Sequence, residues 1–546
     1  MKSTMMQYPL VLGSILKRAY NVHPEKEIVS KMNDESIHRY TYGEYFKRTL
    51  QLMSALKRSG VSKYDRIATF ALNHYMHLEL YFAIPCNQNV LHTLNIRLFP
   101  EQLEFIVNHA EDKYIFIDKS LTRLIAPLVS KFKTVQKFII MDDKENVEPA
   151  SLPNAISYEE FLSMGDYEDG WSILNSLQID ENDPAGMCYT SGTTGNPKGV
   201  VYSHRTIYLH SMGICLADAL GLGERETVLP VVPMFHANAW GIPFACVMTG
   251  AKLVFPGKHL LGHPLAELLE QEQVTIAAGV PTVWNVLYQQ IKKKSYNLKL
   301  HTMVVGGSAA PRSMIENYEK EFGINILHAW GMTETSPLGT VSRIRSYMNN
   351  WDKEKQYSVR VKQGFPVPGV EIRAIDDNGK DIPRDGKSVG ELIVRGAWIT
   401  GSYYNMDIKE SFTEDGWFRT GDVVAIDEYN YIQITDRKKD LIKTRGEWIS
   451  SVEMENVVMG LPFVLEAAVV GRKDPLKEEA PVVFCVPKEG AEIDKKAIIE
   501  ELKKHFAHWQ IPHLEDIHVV ESIPKTSVGK FDKKVLRNKI QEMYKN

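Results

Sequence analysis

The sequence predicts an α/β protein: a large N-terminal domain of layered α/β sheets with a small β-rich subdomain, then a separate α+β C-terminal lid domain. Three observations predict it. Helical patterns alternate with short apolar runs through most of the chain, the runs become short and turn-separated from about Gly390, and roughly the last hundred residues form a compact α+β pattern of their own.

The first clear helix is TYGEYFKRTLQLMSALKRSG (41–60), which opens with a Thr41/Glu44 capping box, carries apolar residues at helical spacing and stops at Gly60. RIATFAL (66–72), KYIFID (113–118), KFIIMDD (137–143) and HTMVVGG (301–307) are apolar runs bounded by polar residues or glycines and are expected to be strands of parallel sheets, whose ligands sit at strand C-terminal ends. Residues 227–251 hold no Asp, Glu, Lys or Arg, and as a helix these 25 residues would span ~37 Å. Pro230, Pro233 and Pro243 break such a helix and His236 and Asn238 put polar groups mid-span, so buried strand and turn, lining a core or an apolar substrate cavity, are expected instead. ELIVRG (391–396), GWFRTGD (416–422) and YIQITDR (431–437) are the strands of the β-rich subdomain. The tail follows with VLEAAVV (464–470), PVVFCVP (481–487), a basic amphipathic helix from Lys495 to His508, and IHVVE (517–521).

At 546 residues the chain exceeds one core. Its 64 basic and 68 acidic residues leave a net charge of −4, which argues against nucleic-acid binding. The five cysteines are far apart and never in C-x-x-C spacing, so neither a disulfide framework nor a zinc site is expected, and a reducing cytoplasm suits them. The N-terminus lacks the apolar centre of a secretory signal.

The run YTSGTTGNPKGV (189–200) packs hydroxyls, glycines and one lysine into a turn-prone stretch, a composition suited to the oxygens of a phosphate chain. It is not a Walker A loop, because Pro197 replaces the second glycine and Gly199 stands where a Ser or Thr would bind magnesium. In isolation such a loop is as well read as a turn stabilised by its own hydroxyls.

Four further motifs follow in order: WGMTETSP (330–337), FRTGD (418–422), DRKKDLIKTRGEWIS (436–450) and PKTSVGK (524–530). With YTSGTTGNPKGV they resemble the adenylate-forming superfamily of acyl-CoA synthetases, luciferases and peptide-synthetase adenylation domains over nearly the whole chain. PVVPMFHANAW (230–240) makes the likeness greatest to prokaryotic medium- and long-chain fatty-acyl-CoA synthetases. The resemblance implies activation of a fatty acid by ATP to acyl-AMP with release of pyrophosphate, then transfer to CoA. A ligase for a short-chain or aryl acid is the alternative. It divides the chain into residues 1–436 (β-rich subdomain about 365–436), a hinge at 437–442 and a mobile lid at 443–546, and it admits a homodimer and transient contact with a membrane surface, though no transmembrane segment.

By the same resemblance, Thr190, Ser191, Gly192, Thr193, Thr194 and Gly195 close over the β- and γ-phosphates, and Lys198 places its charge on the leaving pyrophosphate. Glu334 and Thr190 are implied ligands of Mg2+, an ion that prefers hard oxygens. Trp330 is implied to stack on adenine, with Gly306, Gly307 and Ser308 as a backbone wall and Gly331 and Thr333 beside it. Asp422 would accept both ribose hydroxyls with Arg437 next to it, and His236 would orient the substrate carboxylate. Lys530 is implied to reach the carboxylate and α-phosphate in one lid orientation, Lys439 to be the pivot, and Trp448 to help build the pantetheine channel for CoA. Trp240 reads equally as tunnel lining and as core packing.

Overall fold

The Thr41 hydroxyl accepts from the Glu44 amide at 3.2 Å and the Glu44 carboxylate accepts from the Thr41 amide at 2.8 Å, so the expected capping box starts the helix Tyr42–Arg58. Tyr45, Phe46, Leu52, Met53 and Leu56 recur at helical spacing along it and are all fully buried. The structure is a computed structural model that describes residues 1–142, 152–190, 196–437, 440–444, 447–474, 478–526 and 531–544, with the side chains of Lys443, Glu447 and Trp448 also outside the description.

Among the described residues two large sheets form the body of the protein. One has seven strands, in the order 155–157, 137–141, 114–118, 66–70, 90–93, 184–189, 199–203. All its pairings are parallel except the last, where Pro184–Tyr189 runs antiparallel to Gly199–Ser203 and the two flank the phosphate-loop candidate. The other has nine strands, in the order 365–366, 338–341, 325–331, 302–305, 276–279, 227–230, 252–255, 27–31, 37–41, with a parallel centre and antiparallel edges. The central strands are mostly apolar and buried on both faces, which is what helices on each side of a parallel sheet require.

A four-stranded antiparallel sheet (370–375, 389–396, 418–426, 432–437) forms the β-rich subdomain. The lid carries a fourth sheet built on the long hairpin Val464–Asp474 and Glu478–Pro487, with Ile517–Val519 parallel to its second strand. Separate apolar clusters pack on the two faces of that sheet, one around Ile442, Met454 and Leu502 and the other around Phe484, Leu536 and Ile540. The lid thus has its own core.

Two expectations need correction. The apolar segment 227–251 is strand and turn only in its first half, and Ile242–Thr249 is a buried helix. Pro243 lies in its first turn, where a missing N–H has no acceptor to lose, so the residue that forbids a long helix opens a short one. The basic lid helix ends at His505, not His508, because Phe506 turns extended (φ −126°) and packs its ring against the lid core.

Candidate active site

The parallel strands of the nine-stranded sheet end on one side at a cavity of about 680 Å³. Chain leaving Thr227–Pro230 brings His236, chain leaving Thr302–Val305 brings Gly306, Gly307 and Ser308, and the end of Asn325–Gly331 brings Trp330 to Glu334. Ligand loops from neighbouring parallel strands therefore converge, as open α/β sheets arrange them. Thr190 and Lys198 join the same lining from the seven-stranded sheet, and Asp422 and Arg437 from the four-stranded one.

At one end, buried Glu334 accepts a hydrogen bond from the Tyr403 hydroxyl at 2.8 Å. Burial and the adjoining Glu334 carboxylate push the Tyr403 pKa up, so the phenol keeps its proton and donates. Lys198 places its ammonium 4.8 Å from the centre of the Tyr403 ring. Thr190 closes the base of the loop: its amide donates to the Lys198 carbonyl at 2.9 Å, and its hydroxyl accepts from the Lys198 amide at 3.1 Å. The neighbouring Tyr202 hydroxyl donates to the Thr333 carbonyl at 2.8 Å and fixes the backbone just before Glu334. Carboxylate, hydroxyl and ammonium thus face one space from rigid supports. Tyr403 is a residue that sequence reasoning missed. Its only local signal is the GSYYN run after the apolar Trp398.

At the other end, the indole N–H of Trp330 donates to Asp422 Oδ2 at 2.9 Å while Arg437 Nε contacts Asp422 Oδ1 at 2.8 Å. Asp422 and Arg437 are cross-strand partners in the subdomain sheet, so their approach is set by register. The Trp330 ring lies against Gly339, and a Cβ added at Gly331 would land on the Pro337 carbonyl, which makes glycine a steric need there. His328, in the same wall, donates its Nδ1–H to the Val361 carbonyl (3.1 Å), and burial depresses its pKa to about 4.

The acyl-side candidate, His236, is followed by a left-handed turn. Ala237, Asn238, Ala239 and Trp240 have φ of 43°, 52°, 48° and 58°, and Gly241 follows at 74°. Left-handed L-residues cost roughly 1–2 kcal/mol each, and such strain gathers at functional sites. The turn aims the Trp240 ring over Gly306, where a Cβ would come within 2.9 Å of the indole. Trp240 both lines the cavity and packs on the main core.

On the lid side, Lys533 pairs with Glu455 at 2.8 Å and lies 4.0 Å from Asp436, whose carboxylate also accepts from the amide and hydroxyl of Ser451. Arg537 pairs with Asp440. These bonds tie the last helix of the lid to the strand that carries Arg437.

Ser191, Gly192, Thr193, Thr194, Gly195, Lys439 and Lys530 lie outside the described residues, and Trp448 is described only as backbone of the strand Glu447–Ile449. Among the described residues no cluster of three or more His, Cys, Asp or Glu could hold a metal. One buried carboxylate in the cavity lining, Glu334, with the hydroxyl of Thr190 in the same lining, is nevertheless a donor set that suits Mg2+, which binds through one or two carboxylates plus substrate phosphates.

An AMP-binding enzyme family model matches residues 16–404, and a model of the AMP-binding enzyme C-terminal domain matches residues 453–530. A long-chain-fatty-acid–CoA ligase of Thermus thermophilus is 44% identical, covering 100% of this chain and 97% of its own. A 3-methylmercaptopropionyl-CoA ligase of Ruegeria lacuscaerulensis is 40% identical over 99% of both chains, and a medium-chain-fatty-acid–CoA ligase of Ectopseudomonas oleovorans is 40% identical over 100% and 98%. In fold, the chain is similar to an anthranilate CoA ligase solved with anthranoyl-AMP, with a TM-score of 0.86 at 22% identity over 100% of this chain and 99% of that one. The matched models span most of the sequence and the relatives match it end to end: the chain belongs to the AMP-binding enzyme family.

Proposed function

We propose that this protein is an AMP-forming fatty-acid–CoA ligase acting on a medium- or long-chain fatty acid. The observation that carries the reading is that one cavity joins a phosphate end (Lys198, Glu334, Tyr403), a nucleoside end (Trp330, Asp422, Arg437) and an apolar acyl side (His236, Trp240). End-to-end identity of 40–44% to ligases named for long- and medium-chain fatty acids supports the acyl choice.

A carboxylate is a poor acyl donor because oxide would have to leave. Its oxygen therefore attacks the α-phosphorus of ATP, forming the acyl–phosphate bond as the bond to pyrophosphate breaks. The CoA thiol then attacks the acyl carbonyl, loses its proton and expels AMP. Positioning and charge neutralisation supply the catalysis. Lys198 and the hydroxyls of the 190–195 loop meet the β- and γ-phosphates, Asp422 and Arg437 hold the ribose, Trp330 packs on the base beside Gly307, Ser308, Gly331 and Thr333, and His236 orients the carboxylate. Glu334 and Thr190 are the residues that would hold Mg2+ together with phosphate oxygens, and the bound ion would supply further charge neutralisation at the leaving pyrophosphate.

Residues 1–436 are assigned to ATP and acyl binding, 437–442 to a hinge and 443–546 to the lid. Lys530 serves the first half-reaction, rotation about Lys439 removes it, and the loop with Trp448 then forms the CoA channel. A cytoplasmic setting accords with five free cysteines, four of them buried. No described helix is long and apolar enough to cross a membrane.

A pyrophosphate-release panel from acetate through octanoate to palmitate, with aryl acids and 3-methylmercaptopropionate included, tests the substrate class. The highest kcat/KM is expected among octanoate and longer acids. A maximum at a short or aryl acid would overturn it in favour of a second reading, a short-acid ligase, which the likeness to the Ruegeria protein favours.

A further inference from the structure

Residues 231–235 connect the strand Thr227–Pro230 to His236, and their backbone is held partly by two side chains that follow the strand Arg66–Phe70 of the other large sheet, Asn73 and, on the helix Tyr75–Cys86, Tyr81. Asn73, buried just beyond the strand Arg66–Phe70, spends its whole side-chain amide on this segment. Its Nδ2 donates to the carbonyls of Pro230 and Val232, both at 2.9 Å, and its Oδ1 accepts from the Met234 amide at 2.7 Å. The pattern admits only one amide orientation, since a flipped group would set oxygen against two carbonyls and N–H against N–H. Tyr81 completes the clamp by donating its hydroxyl to the Met234 carbonyl at 2.5 Å. Met234 is thus pinned at both backbone polar groups. The Val231 and Val232 amides are anchored on the Ala278 carbonyl at 2.8 and 3.0 Å, and the turn to His236 closes with its amide on the Pro233 carbonyl at 3.0 Å.

We propose that Asn73, assisted by Tyr81, is a positioning residue for the acyl substrate: it fixes the 230–234 segment so that His236 stands at the place where the carboxylate is presented to the nucleotide. The inference rests on the ligase reading above, in which His236 orients that carboxylate. No other side chain of similar size offers two donors and one acceptor in this planar arrangement. Aspartate has no donor, and leucine leaves two carbonyls and an amide buried without partners. The clamp also joins the C-terminal ends of strands in two different sheets, so the acyl end of the site depends on how those sheets meet.

The test is a double-mutant cycle on adenylation, read as fatty-acid-dependent pyrophosphate release. Asn73→Ala should lower kcat/KM for the fatty acid by about tenfold or more while the KM for ATP stays within about twofold, because a misplaced orienting group affects the carboxylate and not the nucleotide. Tyr81→Phe, which keeps the ring packed on Phe244 at 5.1 Å between centroids, should give a smaller loss of the same kind and carries the test if Asn73→Ala does not fold. In a His236→Ala background either substitution should cost less than about twofold more, since the group it positions is gone. Equal losses in both backgrounds, or a matching rise in the KM for ATP, would overturn the positioning role. His236→Ala at the wild-type rate would instead overturn the assigned role of His236, an outcome distinct from failure of the clamp.

Discussion

Replacing Tyr403 by Phe deletes one oxygen and leaves the ring under Lys198 in place. The lost oxygen is the donor to Glu334 Oε1 at 2.8 Å, in a pair whose members are 7% and 6% exposed. A hydrogen bond from a neutral donor to a buried carboxylate contributes ~1.5–3 kcal/mol. If the bond holds Glu334 toward the phosphates, that energy is lost in the adenylation transition state, which at about 1.4 kcal/mol per decade is a rate reduction of roughly ten- to 150-fold. The assay is pyrophosphate release at saturating fatty acid with ATP and free Mg2+ varied, beside thioester formation from supplied acyl-AMP and CoA. Adenylation should fall in that range with a raised Mg2+ requirement, while the second reaction should stay within about twofold of wild type. Glu334→Gln, which removes the charge itself, should fall further along the same axis. Rates and Mg2+ requirement unchanged in Tyr403→Phe, or equal loss in both reactions, would refute the argument that this bond serves the phosphate end.

Lys533→Met should destabilise the lid by ~3–5 kcal/mol, because it leaves Glu455 and Asp436 buried without their shared cation, and urea unfolding followed in the lid checks this. His210 is buried, with its pKa depressed to about 3 by burial, and its Nε2 accepts from the Leu338 amide at 3.2 Å, so it is neutral in the folded state. Its unfolded pKa near 6.5 is the higher one, so its contribution is complete above that pH and is lost as pH falls toward 3; the stability gap between wild type and His210→Asn should narrow by ~1 kcal/mol from pH 6.5 to 5.5, and a constant gap would contradict it. Trp240→Ala should alter the chain-length profile more than the KM for ATP, whereas uniform loss at all chain lengths with a lower Tm would mark it as core packing alone.

How much of this was legible in the sequence follows from the range of the interactions. The capping box of Thr41 and Glu44 spans three residues and was readable in full, as were the central strands, whose apolar runs need no partner to be recognised. Thr190 and Lys198, or Trp330, Thr333 and Glu334, could be picked out as candidates because they are neighbours in the chain, and they line one cavity. Tyr403 was not, since it acquires its role only by meeting Glu334 69 residues away in the chain. Asn73 is more hidden still. Its three bonds cross 157 to 161 residues, and a lone asparagine after a strand reads as a turn residue. The helix Ile242–Thr249 escaped because an apolar run between prolines has no periodicity to separate buried helix from buried strand. The left-handed turn at 237–240 runs against the preference of Ala237, Ala239 and Trp240, with only Asn238 suited to that region, so local propensity gave no sign of it.

The most direct measurement is a single-turnover quench with α-labelled ATP, a fatty acid and no CoA. The proposed chemistry predicts that label moves into acyl-AMP in an amount stoichiometric with enzyme, matched by pyrophosphate, and that adding CoA then converts the pool to acyl-CoA and labelled AMP. Label appearing in ADP, or remaining in ATP until CoA is present, would contradict a ligase that works through an acyl-adenylate.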